Sequence, residues 1–190
     1  SDATHWDGPD GVEGALMATN GAAFTSWETN ELEYLAFGGV GGYGGSLPGL
    51  VTGAYSTLAF IGLSKADPRA GVVYPNFFRG TAVRNAAYEP TSAEWDNYNY
   101  VTAPRNATNF EVVDAGGGVM QLRNKVVLAF PVPGAVTGAP VMNYATFMLL
   151  GFSGSYVLYL GGAMELGTPY TVTVGTGLEI PVGSFIPEKK

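Results

Sequence analysis

Thr146-Phe147-Met148-Leu149-Leu150 and Tyr170-Thr171-Val172-Thr173-Val174 are the two stretches on which the fold reading turns. In the second, Tyr170, Val172 and Val174 alternate with two threonines. Side chains on a strand point to opposite faces in turn, so this pattern predicts a strand with one wet face. In the first, every residue after the threonine is apolar. At strand length, well short of the ~20 apolar residues of a membrane helix, it predicts a strand buried on both faces.

Outward from these, short apolar or alternating stretches recur between Gly, Pro and Asn punctuation. Strands are predicted at Val51–Leu63, Gly71–Tyr74, Phe77–Val83, Tyr98–Ala103, Phe110–Asp114, Val119–Leu122, Lys125–Phe130, Tyr144–Leu150, Ser155–Leu160, Tyr170–Val174 and Leu178–Val182. Prolines such as Pro104, Pro131 and Pro181 fall near their ends, where a missing N–H also guards an edge. Helix signals are sparse. Asn30-Glu31-Leu32-Glu33 opens like an N-cap and Gly38 could close the helix, although Leu32, Tyr34 and Ala36 also fit the alternation of a strand. Thr91-Ser92-Ala93-Glu94 is a capping box that predicts a single turn. No internal repeat is present, which argues against a propeller or solenoid. The expected fold is all-β: a single jelly-roll barrel or sandwich of about 8–10 strands with little helix. Residues 1–10 are expected to form an N-terminal extension and residues 11–190 one β-barrel domain.

Composition narrows the function. Charged residues are 13% of the chain and apolar ones 46%, against about 25% charged in an average globular chain. So low a charge fits a surface covered by neighbouring subunits, and it equally fits a neutral polar surface rich in glycine and threonine. The net charge is −7 and the first basic residue is Lys65. Phosphate binding needs clustered Lys and Arg, so direct contact with nucleic acid is not expected. Absent cysteine excludes disulfides, thiolate catalysis and Cys-ligated zinc. Ser1 to Asp7 has neither the basic nor the apolar region of a signal peptide, which suggests a non-secreted chain.

Searching for chemistry yields little. A Ser-His-Asp triad needs a rigidly held imidazole, and the single histidine, His5, lies in the expected extension. Gly151-Phe152-Ser153-Gly154-Ser155 resembles a nucleophile elbow but lacks its final glycine and a following helix. Asp7-Gly8-Pro9-Asp10-Gly11-Val12-Glu13 could gather carboxylates for calcium, without the EF-hand register, or be a solvated acidic tail. Gly39-Val40-Gly41-Gly42-Tyr43-Gly44 fits G-x-G-x-x-G in form, but no helix opens after it. Two readings stand for it: a loop anchored by Tyr43 that approaches a neighbouring backbone closely, or a flexible solvent loop. Asn106-Ala107-Thr108 is an N-glycosylation sequon. Neither a metal nor an organic cofactor is expected.

Trp95-Asp96-Asn97-Tyr98-Asn99-Tyr100 is the richest aromatic cluster, with Tyr88 and Glu94 beside it. It could stack on a sugar, fill a subunit interface, or be a partly buried strand start. Tyr43, Trp95, Tyr98 and Tyr100 are therefore the candidate interaction surface. Glu94 and Asp96 are the nearest approach to a glycosidase pair, which needs carboxyls about 5–10 Å apart across a cleft.

In size, composition and acidity the whole chain resembles the smaller major capsid protein of icosahedral, internal-membrane viruses of halophilic archaea and thermophilic bacteria. The resemblance implies a single jelly roll standing upright in the shell. It also implies partners: further copies of the chain, a larger companion capsid protein in pseudo-hexameric capsomers, and a lipid membrane beneath. On that reading the chain is made in the host cytoplasm, ends in the virion shell, and is not an enzyme. The other readings are a carbohydrate-binding β-sandwich for virion decoration or adhesion, and a glycosidase or lyase on the same sandwich.

Overall fold

The computed structural model describes residues 57–69, 86–152 and 156–188, with Leu32 and Ala36; at 151, 152, 156, 157 and 159 it describes the backbone alone. In chain order the strands are β1 (Leu58–Ser64), β2 (Val101–Pro104), β3 (Phe110–Asp114), β4 (Met120–Asn124), β5 (Leu128–Ala129), β6 (Val141–Phe152), β7 (Tyr156–Thr171) and β8 (Glu179–Ile180). They form a four-stranded sheet ordered β2-β1-β6-β7 and two smaller pairs, β3-β4 and β5-β8. All the pairings are antiparallel, and the fold is all-β.

The large sheet is organised around β6. Residues 145–150 are buried without interruption, as the apolar run after Thr146 predicts. On one face Ala145, Phe147 and Leu149 join Ile61 and Leu63 of β1 in the main core, which Phe110, Leu122, Leu128 and Ile180 of the small sheets complete. The Phe147 ring meets Phe110 edge-on at 5.7 Å and Phe185 at 6.4 Å. On the other face Met148, Leu150 and Leu158 form a second cluster with Phe60, Leu160, Tyr88 and Tyr100. Between Phe147 and Met148 the ladder slips by one residue of β7, at Gly161. A bulge of this kind sharpens the local twist.

A buried polar knot ties the small sheets to the C-terminal segment. Asn124 is wholly buried. Its amide donates to the carbonyls of Val126 and Pro181, both at 2.8 Å, and its side-chain oxygen accepts the Phe185 N–H at 2.8 Å. All but one of its hydrogen-bonding positions are thereby filled, which makes burial of the amide tolerable. Further on, Glu188 bridges Ala163 through two backbone hydrogen bonds. Arg69 clamps this end, binding Asp67 and Glu188, each at 3.0 Å. Its hydrogen bond to Asp67, followed by that to Glu188, holds the guanidinium more basic than usual against the opposing cost of burial.

Several expected elements change. Phe110–Asp114 is found at the expected bounds, and Tyr144–Leu150 and Ser155–Leu160 lie largely within the longer β6 and β7. Tyr170–Val174 is not a strand throughout: β7 ends at Thr171, and Val174 is 60% exposed and not on the face of buried Val172. The ladder stops because Val172 donates to the carbonyl of Pro140, which has no N–H to return. Ala139, with φ 43°, then turns the partner chain away. Lys125–Phe130 shrinks to Leu128–Ala129, since the Lys125 N–H is bound to the Asn109 carbonyl outside the sheet. Leu32 and Ala36 are helical, four residues apart and against the main core, in keeping with the capped-helix reading. Gly71–Tyr74, Phe77–Val83, most of the Val51–Leu63 stretch before β1, and the expected extension at residues 1–10 lie outside the described residues.

Candidate interaction surface

The aromatic segment starts in the predicted capping box. Thr91 N–H donates to the Glu94 carboxylate at 2.8 Å, and Glu94 N–H donates to the Thr91 hydroxyl at 3.3 Å. Trp95 N–H closes the turn on the Thr91 carbonyl at 2.9 Å. Lys65, just beyond β1, reaches the same carboxylate at 3.0 Å. Burial opposes ionisation of Glu94, but the Thr91 N–H and then the Lys65 ammonium outweigh it, so its pKa lies below the ordinary value. Asp96 is held low chiefly by the Ala135 N–H, with help from Gly134. A Cβ at Gly134 would lie 2.8 Å from an Asp96 carboxylate oxygen, so a side chain there would displace that carboxylate.

This turn geometry decides where the aromatics go. Trp95 and Tyr98, three residues apart, both point inward, 0% and 2% exposed. The Trp95 indole N–H donates to Asn97 Oδ1 at 3.0 Å, and its ring lies 5.2 Å from Tyr98 and 5.9 Å from Tyr170. Tyr98 stacks on Phe130 at 6.5 Å, and its hydroxyl accepts the Leu63 N–H at 2.7 Å. The β1–β2 register ends at Ile61, so the phenol serves a β1 donor that β2 does not reach. Trp95 and Tyr98 are therefore core residues and not an exposed surface, which corrects the expectation for both. Tyr100 is half-buried against the second cluster. Tyr43 lies outside the described residues, as do His5, the Asp7–Glu13 stretch and the Gly39–Gly44 loop.

The carboxylates have structural work. Glu94 caps the turn and pairs with Lys65, while Asp96 accepts the Gly134 N–H at 2.9 Å. Within the 88–100 cluster, stacking on a sugar is left to Tyr88 and Tyr100, since Trp95 and Tyr98 are covered. Among the described residues no three His, Asp or Glu side chains gather as a metal site would require. After Phe152 the chain continues into antiparallel β7, where a nucleophile elbow would open a helix.

What the sequence reading missed is a set of exposed valines. Val127, Val132, Val174 and Val182 are 51%, 52%, 60% and 56% exposed. They flank β5 and β8, which pair through Leu128–Ile180 and Ala129–Glu179. Phe130 N–H bonds to Leu178, and Gly175 N–H to Pro133, extending the contact between the two segments. The usable signal is a valine beside prolines just past a strand, at Pro131-Val132-Pro133 after β5 and Pro181-Val182 after β8. There a strand ends before its last apolar residue is covered. No family model matches the chain, and no curated protein is similar to it.

Proposed function

We propose that this chain is a structural virion protein, a capsid subunit that assembles with itself and with a larger companion capsid protein into an icosahedral shell. The observation that carries the reading is the set of four exposed valines along the β5–β8 pair, on a chain with few charges. With Val119 and Val141 they make six exposed valines among the described residues of a weakly charged chain, and such side chains suit a surface covered on association, although single ones are normal on a monomer. The order β2-β1-β6-β7, with β1 between strands far along the chain, supports the finer proposal of a Greek-key jelly roll. Assembly would proceed by burying these apolar side chains against several neighbours, together exceeding the ~1,600 Å² of a standard pairwise interface. An internal lipid membrane beneath the shell belongs to the same proposal.

Sedimentation and electron microscopy of concentrated protein, with and without its native companions, test the reading. Regular particles or capsomers are expected. A strictly monomeric protein that binds or cleaves a glycan would overturn it in favour of the carbohydrate readings.

A further inference from the structure

The chain has five methionines and no cysteine, so thioethers are its only sulfur. Among the described residues Met142 and Met148 are wholly buried, while Met120 and Met164 are half-buried. The two half-buried residues differ in what depends on them. Met120 ends the β3–β4 ladder opposite Asp114, close to the exposed Gly116 and Gly117. Met164 stands in β7 opposite Ala145 and packs on the main core. Its Sδ accepts the Ile186 N–H at 3.2 Å. That contact lies in the middle of the C-terminal attachment. Before it, Phe185 is wholly buried and donates to Asn124 Oδ1 at 2.8 Å. After it, Glu188 exchanges two backbone hydrogen bonds with Ala163, and its carboxylate meets Arg69. The Glu188 side chain is 75% exposed, so this ion pair is screened and weak. Pro187 has no N–H. Ile186 therefore carries the single N–H between Phe185 and Glu188, and a thioether, a weak acceptor, holds it.

We propose that Met164 is a redox-sensitive latch, and that oxidation of its thioether by hydrogen peroxide frees Ile186 to Glu188 from β7. In that step a sulfur lone pair attacks one peroxide oxygen. An S–O bond forms as the O–O bond breaks, and the departing hydroxide takes up the proton of the transferred oxygen. The thioether is oxidised to the sulfoxide and the peroxide is reduced to water. Both atoms of the new group act against the Ile186 N–H. The sulfoxide sulfur has given electron density to oxygen and no longer accepts. The oxygen is a strong acceptor, but an N–H···O bond spans about 2.9 Å by itself, so the oxygen does not fit between atoms 3.2 Å apart. The segment must move outward or leave its N–H unmet. A polar sulfoxide also packs poorly on the core that the flexible thioether fits. The same chemistry runs back: a thiol-dependent sulfoxide reductase removes the oxygen as water while its thiols become a disulfide. The latch is independent of how the chain assembles.

The test exposes the folded full chain to graded hydrogen peroxide. Peptide mass mapping is expected to find an added oxygen at Met164, and none at Met142 or Met148 until urea exposes them. Amide exchange at Ile186 and Glu188 should then quicken about tenfold, as loss of one hydrogen bond implies, while exchange in β3 and β4 stays as before. Met120→Leu should respond like the wild type. Met164→Leu fills the space without offering an acceptor, so exchange at Ile186 should be fast before peroxide and gain nothing from it. If that variant fails to fold, the wild type still decides: methionine sulfoxide reductase with dithiothreitol should return the mass and the slow exchange together. A folded chain that keeps Met164 unmodified while Met120 is oxidised overturns the proposal. So does a Met164 sulfoxide with unchanged exchange at Ile186 and Glu188, a response abolished by Met120→Leu, or a Met164→Leu protein that responds like the wild type.

Discussion

β6 and the segment from Thr91 to Tyr100 both place large side chains in the core, and they do it by different means. β6 is apolar over its centre except at Thr146, and sheet neighbours on both sides satisfy its backbone. Its position follows from burial alone. The 91–100 segment has a polar or charged residue at nearly every second position, and its backbone belongs to no sheet before Val101. Side-chain caps hold it instead: Thr91 with Glu94, Asp96 on Gly134, and Asn97 on the Val132 carbonyl. Hydrophobicity decides that Trp95 goes inside, but the caps decide that the chain can turn to put it there.

The comparison breaks first at its largest residues. Phe147→Ala and Trp95→Ala should each cost about 3–5 kcal/mol in urea unfolding, as deletions from a packed core do. A Trp95→Ala effect within ~0.5 kcal/mol, the size typical of surface changes, would return that residue to the exterior. Next comes Asn124→Ala, expected to cost about 2–4 kcal/mol, because the buried Phe185 N–H loses its acceptor and two carbonyls lose a donor. A thermal melt of this variant coinciding with the wild type would remove the knot from the account.

Gly62→Ala sharpens the comparison where the two regions meet. The new Cβ would lie 2.8 Å from Met148 Cε, 2.9 Å from Thr146 Oγ1 and 3.1 Å from Tyr100 Cδ1. Overpacking of this kind should cost about 1–3 kcal/mol, and a stabilised variant would mean the second cluster is looser than described. Glu94→Gln keeps an acceptor for the Thr91 N–H but loses the charge that pairs with Lys65, and should cost about 0.5–1 kcal/mol at neutral pH. The folded pKa of Glu94 lies below its ordinary 4.5, so its stabilisation is full above that value and fades as pH falls through the folded value. The gap between wild type and variant should therefore close on acidification; a gap that widens would reverse the sign assigned to the cap. The smallest effect runs the other way. Thr146 is wholly buried and its hydroxyl has no hydrogen-bond partner among the described residues. Thr146→Val should stabilise by about 0.5–1 kcal/mol, since it removes an unmet desolvation cost; a loss of stability would point to a partner for the hydroxyl.

The same contrast explains which features were legible in the sequence. Burial of Thr146–Leu150 on both faces was readable because the one polar side chain, Thr146, stands at the end of an otherwise apolar run. Phe110–Asp114 was readable because its antiparallel partner, β4, lies just along the chain. Tyr170–Val174 misled, because alternation describes a strand only where a partner ladder exists, and that ladder ends at Pro140. At Trp95–Tyr100 a period of two would separate Trp95 from Tyr98, yet the capping box at Thr91–Glu94 announces a turn. Spacing of three within a turn puts them on one side, and that clue was present. The exposed valines were harder to see, since their exposure depends on how far β5 and β8 pair, which local pattern does not specify.

The strand order also fixes when this molecule can fold. β6 and β7 are joined by a short connection, Phe152 lying opposite Tyr156, so their hairpin closes a small loop and can form early. β1 is different. Both of its neighbours come much later in the chain, Ser64 lying opposite Tyr144 and Ile61 opposite Val101. During synthesis at about 5–20 residues per second, Leu58 to Leu63 leave the ribosome seconds before either partner exists. For that interval an apolar strand has no ladder to join. Nascent chains truncated before β6 should therefore bind chaperones and fail to fold, whereas release of the finished chain permits collapse onto the β6–β7 hairpin. The yield of folded protein would then be limited by how well β1 is shielded while the rest of the chain is made.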